Sequence, residues 1–402
     1  RCGSAVNKDQ MRQAFVNIGV KPGLMDGELI PEPIDTSFLR GLRGVEDFYV
    51  CAIGARKALT TNYKQVKTSG YLSRKLVLLE LSEVALYTAG MELRVLPEGL
   101  GIELVPVLGS AGDGVLVERV LKDHAVDAVL HAAAYKHVPL VEGNARAGVV
   151  NNALATQVLV QKVRAAGVRR FVLVSSDKAV RPASVMGATK RMAELIVQGQ
   201  AAQPGRTIFS IVRFGNVLGS SGSVIPLFQE QIAAGGPVTL THEAISRYFM
   251  TIQEAARLVL IAGSLAQGGE VFVLDMGEPV RIRDLARRVI EASGYSVRDR
   301  ANPDGDIEIV TTGLRPGEKL HEELLIGDGP RKMVHPKITS VIEPKLSELE
   351  LAAALRDLRE AVDAEEEAVI GTALRRWVGY SPAAARKTRT RSGGAFGVLI
   401  AE

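Results

Sequence analysis

The chain has 402 residues, 47% apolar and 23% charged, with 49 Lys and Arg against 45 Asp and Glu for a net charge of +4. This is an ordinary globular composition, and so small a basic surplus calls for no nucleic-acid partner; an anionic small molecule accounts for it equally well. Cys2 and Cys51 offer neither a metal-ligand spacing nor a disulfide framework, and no apolar run approaches the ~18 residues of a membrane span.

Residues 1–45 are irregular, with Pro22, Gly23, Pro31 and Pro33 and no sustained periodicity. They read as a linker or the remnant of an upstream domain. The chain opens on Arg1 without a signal peptide, which reads as a piece of a longer protein. From 46 the pattern changes. Short β-branched, apolar runs stand at 48–53, 75–80, 102–107, 127–131, 170–175, 207–213 and 271–275, with helical patterns over 151–166 and 184–200 between them. Strands alternating with helices predict an α/β fold, a Rossmann-type doubly wound parallel sheet with ligands at the carboxyl ends of its strands. Beyond 276 the strands thin out. A helix is expected over 282–292, then a Gly/Pro loop over 313–317 and more helix, making a smaller C-terminal substrate-binding lobe. Domain boundaries follow at 46–342 for this unit, 343–383 for a helical extension and 384–402 for a basic, solvated tail.

The chemistry concentrates in Val172-Leu-Val-Ser-Ser-Asp-Lys-Ala-Val180 and Ser184-Val-Met-Gly-Ala-Thr-Lys190. A buried strand delivers Ser176, Asp177 and Lys178 to its carboxyl end. A helix then presents Met186 and Lys190 on one face, four residues apart. Short-chain dehydrogenases carry Tyr and Lys on that face, and here a thioether stands in the Tyr position. Adjacent Asp and Lys can perturb each other and supply both a proton donor and a base. Further along stand His131-Ala-Ala-Ala-Tyr-Lys-His-Val138, Asn151-Asn152, Arg213-Phe-Gly-Asn-Val-Leu-Gly219, Arg247-Tyr-Phe-Met250 and Arg315-Pro-Gly-Glu-Lys319.

Taken together, these runs resemble the CapD-like polysaccharide-biosynthesis family of extended short-chain dehydrogenases, and within it the UDP-N-acetylglucosamine 4,6-dehydratases. The resemblance covers about 75–342. It implies an internal redox cycle on a UDP-sugar in bacterial surface-glycan synthesis: hydride leaves C4, the C5 proton is removed, water leaves from C6, and hydride returns to C6. It assigns Lys178 as the base, Asp177 as the acid for the C6 hydroxyl, Ser176 to the C4 hydroxyl, and Met186 and Lys190 to the catalytic helix. Cofactor contacts fall on Glu80, Ala132, Ala133, Ala134 and Lys190, and substrate contacts on Lys136, Asn216, Arg247, Arg315 and Glu318. Glu80 at a strand end favours NAD over NADP, because a carboxylate disfavours a 2′-phosphate. No metal is expected. The implied setting is a homo-oligomer in the cytoplasm, or on the cytoplasmic membrane face if a longer parent is anchored.

The chain departs from the family at its front. A glycine-rich loop of the form TGAGGSIG belongs at 54–61, where the sequence reads Gly-Ala-Arg-Lys-Ala-Leu-Thr-Thr. Ser110 replaces a usual Asp and Ala155 a usual Gly. Two alternatives to the active dehydratase follow: a UDP-sugar 4-epimerase, which expects Tyr at 186, and an inactive sugar-nucleotide binder that has lost its NAD phosphate loop.

Overall fold

The computed structural model describes residues 75–94, 103–220, 223–326, 331–364 and 366–382. The strand expected at 48–53, the loop positions 54–61, the segment 1–45 and the tail 384–402 therefore lie outside the described residues. Strands β1 (Lys75–Glu80) and β2 (Glu103–Leu108) pair in parallel, with helix α1 (Glu83–Arg94) between them in sequence. Among the described residues the main sheet has six strands. Its parallel part consists of β3 (Ala128–His131), β4 (Arg170–Ser176) and β5 (Ile208–Phe214), and the short strands β6 (Asn216–Leu218), β7 (Val238–Leu240), β8 (Ser246–Arg247) and β9 (Phe249–Thr251) lie outside it. Strand β10 (Val271–Leu274) joins β5 in parallel, and the order β3-β4-β5-β10 shows each crossover placing a helix on a face.

Alternation along these strands explains why both faces are covered. On one side Phe171 and Leu173 of β4, Phe209 and Ile211 of β5, and Val271 and Val273 of β10 share a core. On the other, Val172, Val212, Phe272 and Leu274 point into a second core. A period of two with apolar residues at every position is what a sheet buried on both faces requires. The first core is closed by α2 (Gly114–Asp123), α5 (Ala155–Ala165) and α6 (Val185–Ala201), the second by α8 (Ile252–Leu265). Between α2 and α5 the chain makes two short helices, α3 (Val138–Glu142) and α4 (Ala145–Gly148), then a widened π-type turn over Val149–Leu154. The helix expected over 151–166 thus starts as that wider turn. Periodicity at this length does not separate the two windings.

A third core belongs to the smaller lobe. Helices α7 (Val224–Ala233) and α9 (Ile282–Ala292) pack Phe228, Ile232, Ala286 and Ile290 against Val238, Leu240 and Ile307. Contrary to the thinning of strands read after 276, five follow among the described residues: β11 (Val280–Arg281), β12 (Val297–Arg298), β13 (Ile307–Thr311), β14 (Arg331–His335) and β15 (Ile338–Val341). Two of them, β11 and β12, have two residues each, too short for a two-residue period to show. β14 and β15 return antiparallel to the edge of the main sheet beside β10.

The helical stretch 345–377 divides into α10 (Glu348–Asp363), opened by a Ser347/Glu350 capping box, and α11 (Glu367–Val378). Leu355, Leu358, Ile370 and Leu374 of this pair enter the same core as Phe171 and Met192. No helix among the described residues is long and apolar enough to cross a membrane.

Candidate active site

Ser176 ends β4 in extended conformation and caps a single 3₁₀ turn over Asp177–Ala179. That turn brings the three expected residues into one hydrogen-bonded group. Asp177 is fully buried, and its Oδ1 accepts from Ser176 Oγ at 2.7 Å and from Lys178 Nζ at 3.0 Å. Its Oδ2 is buried without a hydrogen-bond partner among the described residues. Lys178 Nζ also donates to Asn216 Oδ1 at 3.2 Å and lies 3.7 Å from Glu322 Oε1. Burial alone would depress the Lys178 pKa, but Asp177 and Glu322 outweigh it and hold the ammonium above the ordinary lysine value.

Helix α6 starts against this turn, with Ser184 Oγ accepting from Gly187 N at 3.0 Å. Met186 is 3% exposed and packs into the core of the main sheet. Lys190, one helical turn on, is buried and donates to Val174 O at 2.9 Å. Burial draws its pKa down to about 8, with Glu194 pulling the other way. Gly187 makes the close approach possible: a Cβ there would lie 2.2 Å from the Lys178 carbonyl oxygen. Gly187→Ala is therefore expected to displace the turn, costing about 1–3 kcal/mol of stability and at least about tenfold in turnover through misplacement of Lys178. Thermal unfolding and product assays check this, and near-normal values in both would show that the turn tolerates the methyl.

The other expected residues scatter around this centre. Glu80 closes β1, its Oε1 accepting from Ser82 N at 3.0 Å. Ala132 and Ala133 are exposed after β3 and Ala134 is half-buried; Lys136 follows, exposed. Arg247 is buried, and its guanidinium donates to the carbonyls of Ser246, Lys319 and Leu320. It thereby ties down the 318–322 segment. Glu318 Oε1 accepts from Thr241 Oγ1 at 3.0 Å and stands 3.6 Å from Arg247 Nη2. Arg315 is exposed on the same segment. Ser110 Oγ caps Gly112 N, and a Cβ on Gly112 would lie 3.2 Å from that of Ala155. The methyl of Ala155 is thus accommodated by a glycine across the contact. Among the described residues no cluster of His, Cys, Asp or Glu is arranged to hold a metal ion.

The sequence profile of a family described as polysaccharide biosynthesis protein matches residues 61–343. The chain belongs to this family. It is similar to the capsular polysaccharide biosynthesis protein CapD of Staphylococcus aureus, 48% identical over 271 residues, 67% of this chain and 43% of CapD. It therefore spans less than half the length of that relative. It is also 30% identical over 224 residues to a UDP-N-acetylglucosamine 4,6-dehydratase (inverting) of Campylobacter jejuni, covering 55% of this chain and 62% of the relative. Pen from Bacillus thuringiensis, known from an X-ray structure, matches with a TM-score of 0.60 at 31% identity, over 67% of this chain and 82% of Pen. DesIV, a dTDP-glucose 4,6-dehydratase of Streptomyces venezuelae solved with NAD and TYD bound, shares the fold at a TM-score of 0.51 and 20% identity, over 77% of this chain and 96% of DesIV.

Within this family member, three features escaped sequence reasoning. Asn152, on the π-type turn, exchanges hydrogen bonds with both backbone groups of Tyr135 and donates to Thr189 Oγ1, clasping the 132–136 segment to α6. The doublet Asn151-Asn152 was visible, but nothing in it says which amide turns inward. Glu194, Arg213, Arg191 and Glu343 form a buried charge cluster. Glu322, inside the RPGEKLHEEL run, is buried beside Lys178.

Proposed function

We propose that this protein is an NAD-dependent 4,6-dehydratase of a UDP-N-acetylhexosamine. The observation that carries the reading is the hydrogen bond joining Lys178 Nζ to Asp177 Oδ1 at the carboxyl end of β4, with Ser176 Oγ on the same oxygen. One proton shifted along that bond converts an ion pair into a neutral base and a neutral acid. Neutral Lys178 takes the C5 proton of a 4-keto sugar, and the electron pair left on C5 expels the C6 hydroxyl as water with a proton from Asp177. Since Asp177 has no exposed surface, Ser176 Oγ, 2.7 Å away, is the group through which that proton reaches the substrate.

The residues present fit a nicotinamide dinucleotide at two points. The buried Lys190 ammonium donates, among the described residues, to Val174 O alone, which leaves N–H groups for ribose hydroxyls, and the small, exposed Ala132 and Ala133 leave the strand end open to a flat ring. When bound, the nicotinamide supplies the acceptor for the C4 hydride and returns it to C6. Glu80 favours NAD, since a carboxylate at that strand end repels a 2′-phosphate. Exposed Arg315 is the cationic fork we assign to the diphosphate, while Arg247 shapes its segment from behind. A 4-epimerase would need a proton carrier at 186, and the buried thioether of Met186 carries none.

The test is direct. The protein, supplied with NAD and UDP-N-acetylglucosamine in deuterated water, should give a 4-keto-6-deoxy product carrying deuterium at C5. Appearance of the C4 epimer without loss of water would overturn the reading.

A further inference from the structure

Glu322 is 8% exposed, lies outside every motif role assigned above, and faces the base. Its Oε1 sits 3.7 Å from Lys178 Nζ and 3.8 Å from Arg247 Nε. Its Oε2 is buried with no hydrogen-bond partner among the described residues. Arg247 cannot neutralise it by a fork, since both terminal nitrogens of that guanidinium are committed to carbonyls of 246, 319 and 320. Around Lys178 Nζ stand Asp177 Oδ1 and Asn216 Oδ1, on two other elements, and Arg247 lies behind Glu322, with Glu318 on its far side. Two carboxylates thus flank one amine. In the reaction one of them, Asp177, gives up a proton to the leaving group, whereas Glu322 has no part in the steps described.

We propose that Glu322 is a positioning residue for the base: its carboxylate holds Lys178 Nζ toward the sugar and stabilises the ammonium that forms when Lys178 takes the C5 proton. The inference rests on the dehydratase reading. The logic is that of a carboxylate behind a general base, worth most where charge develops in a site shielded from water. Burial makes the arrangement effective, because a charge a few ångströms away in low dielectric is not screened by solvent. The rise in Lys178 basicity that Asp177 and Glu322 produce together agrees with it. Asn216, an acceptor without charge, holds Nζ in the same place and leaves the electrostatics to Glu322.

Glu322→Gln keeps the shape and an oxygen for Nζ but removes the charge. It should lower kcat about 100-fold, leave KM for the UDP-sugar within about threefold, and slow deuterium entry at C5. It should also shift the limb on which kcat rises with pH toward lower pH, because Lys178 loses a counter-charge. Glu322→Asp, which restores the charge, should recover at least about tenfold over the Gln variant. An unmoved limb, or an Asp variant no better than Gln, overturns the proposal. Competitive labelling of lysines with acetic anhydride across pH, read by mass spectrometry, needs no turnover. The Lys178 midpoint should fall in Glu322→Gln, and an unchanged midpoint also overturns the proposal. If the midpoint falls but the unmodified protein makes no 4-keto product, the pairing of Glu322 with Lys178 stands and the dehydratase reading is what fails.

Discussion

Lys178→Ala should lower formation of the 4-keto product by about 10³-fold or more, with UDP-sugar affinity within a few-fold of the unmodified protein. Lys178 Nζ reaches three oxygens, on Asp177, Asn216 and Glu322, and no other amine lies in that group among the described residues. Removing it leaves no base of the right reach, and the C5 proton then departs only to water. Asp177→Asn should be comparably damaging to release of water but should spare hydride removal from C4, because the amide keeps the geometry and has no acidic proton to give. The two variants therefore fail at different steps. Deuterium entry at C5 in deuterated water separates them, retained in Asp177→Asn and lost in Lys178→Ala, and the reading of either residue collapses if its variant turns over at a near-normal rate.

The second large effect is on stability. Glu194 lies on α6 with no exposed surface, and its two oxygens accept from Arg213 Nε at 3.0 Å and Nη2 at 2.8 Å, from Arg191 Nη1 at 2.8 Å and from Ser175 Oγ at 2.6 Å. Arg213, itself fully buried, reaches onward to Glu343 and to the carbonyl of Leu324. Glu194→Ala leaves the Arg213 and Arg191 guanidinium groups sharing Glu343 alone within the cluster, and one buried charge left uncompensated costs about 3–5 kcal/mol. A fall in Tm of several degrees should follow, whereas Arg169→Ala, which breaks an exposed pair with Asp127, should leave the transition in place. A Glu194→Ala protein that melts with the unmodified one would mean the cluster contributes nothing net.

The same residue sets an acid limit. Burial works against ionisation of Glu194, but Arg213 and Arg191 override it and bring the carboxyl to about 2 from an ordinary 4.5. A depressed carboxyl stabilises the fold fully above its unfolded value and loses that contribution as pH falls from about 4.5 toward about 2, on the order of 3 kcal/mol in all. Denaturant titrations between those pH values should show the loss in the unmodified protein and little of it in Glu194→Ala.

The long, wholly apolar strands were the easiest part to read. β4, β5 and β10 stand where the sequence puts them because burial on two faces leaves an uninterrupted apolar run. The turn after β4 was equally legible, since Ser176, Asp177 and Lys178 are contiguous and a strand end fixes where they emerge. What stayed hidden depends on contacts between distant segments. Arg247 reads as a free cation in a loop, yet its head is taken by carbonyls some seventy residues on, as only the fold reveals. Glu318, Glu322 and Glu323 look alike in one acidic stretch. The structure leaves Glu323 on the outside with Arg181 and turns Glu322 inward. The short strands of the lobe escaped for a different reason, since two or three residues carry no periodicity.

The pairing of α10 and α11 with the core of the main sheet bears on how the protein is made. Leu355, Leu358, Ile370 and Leu374 are synthesised well after Phe171 and Met192, and they cover the face that those two residues present from the middle of the chain. Until they arrive, that face has α2, α5 and α6 over it. At ~5–20 residues per second, translation from 343 to 378 takes about 2–7 s. During that interval a nascent chain exposes the apolar side chains that α10 and α11 later cover. Chaperone capture should therefore concentrate on chains stalled in this stretch rather than on those stalled earlier.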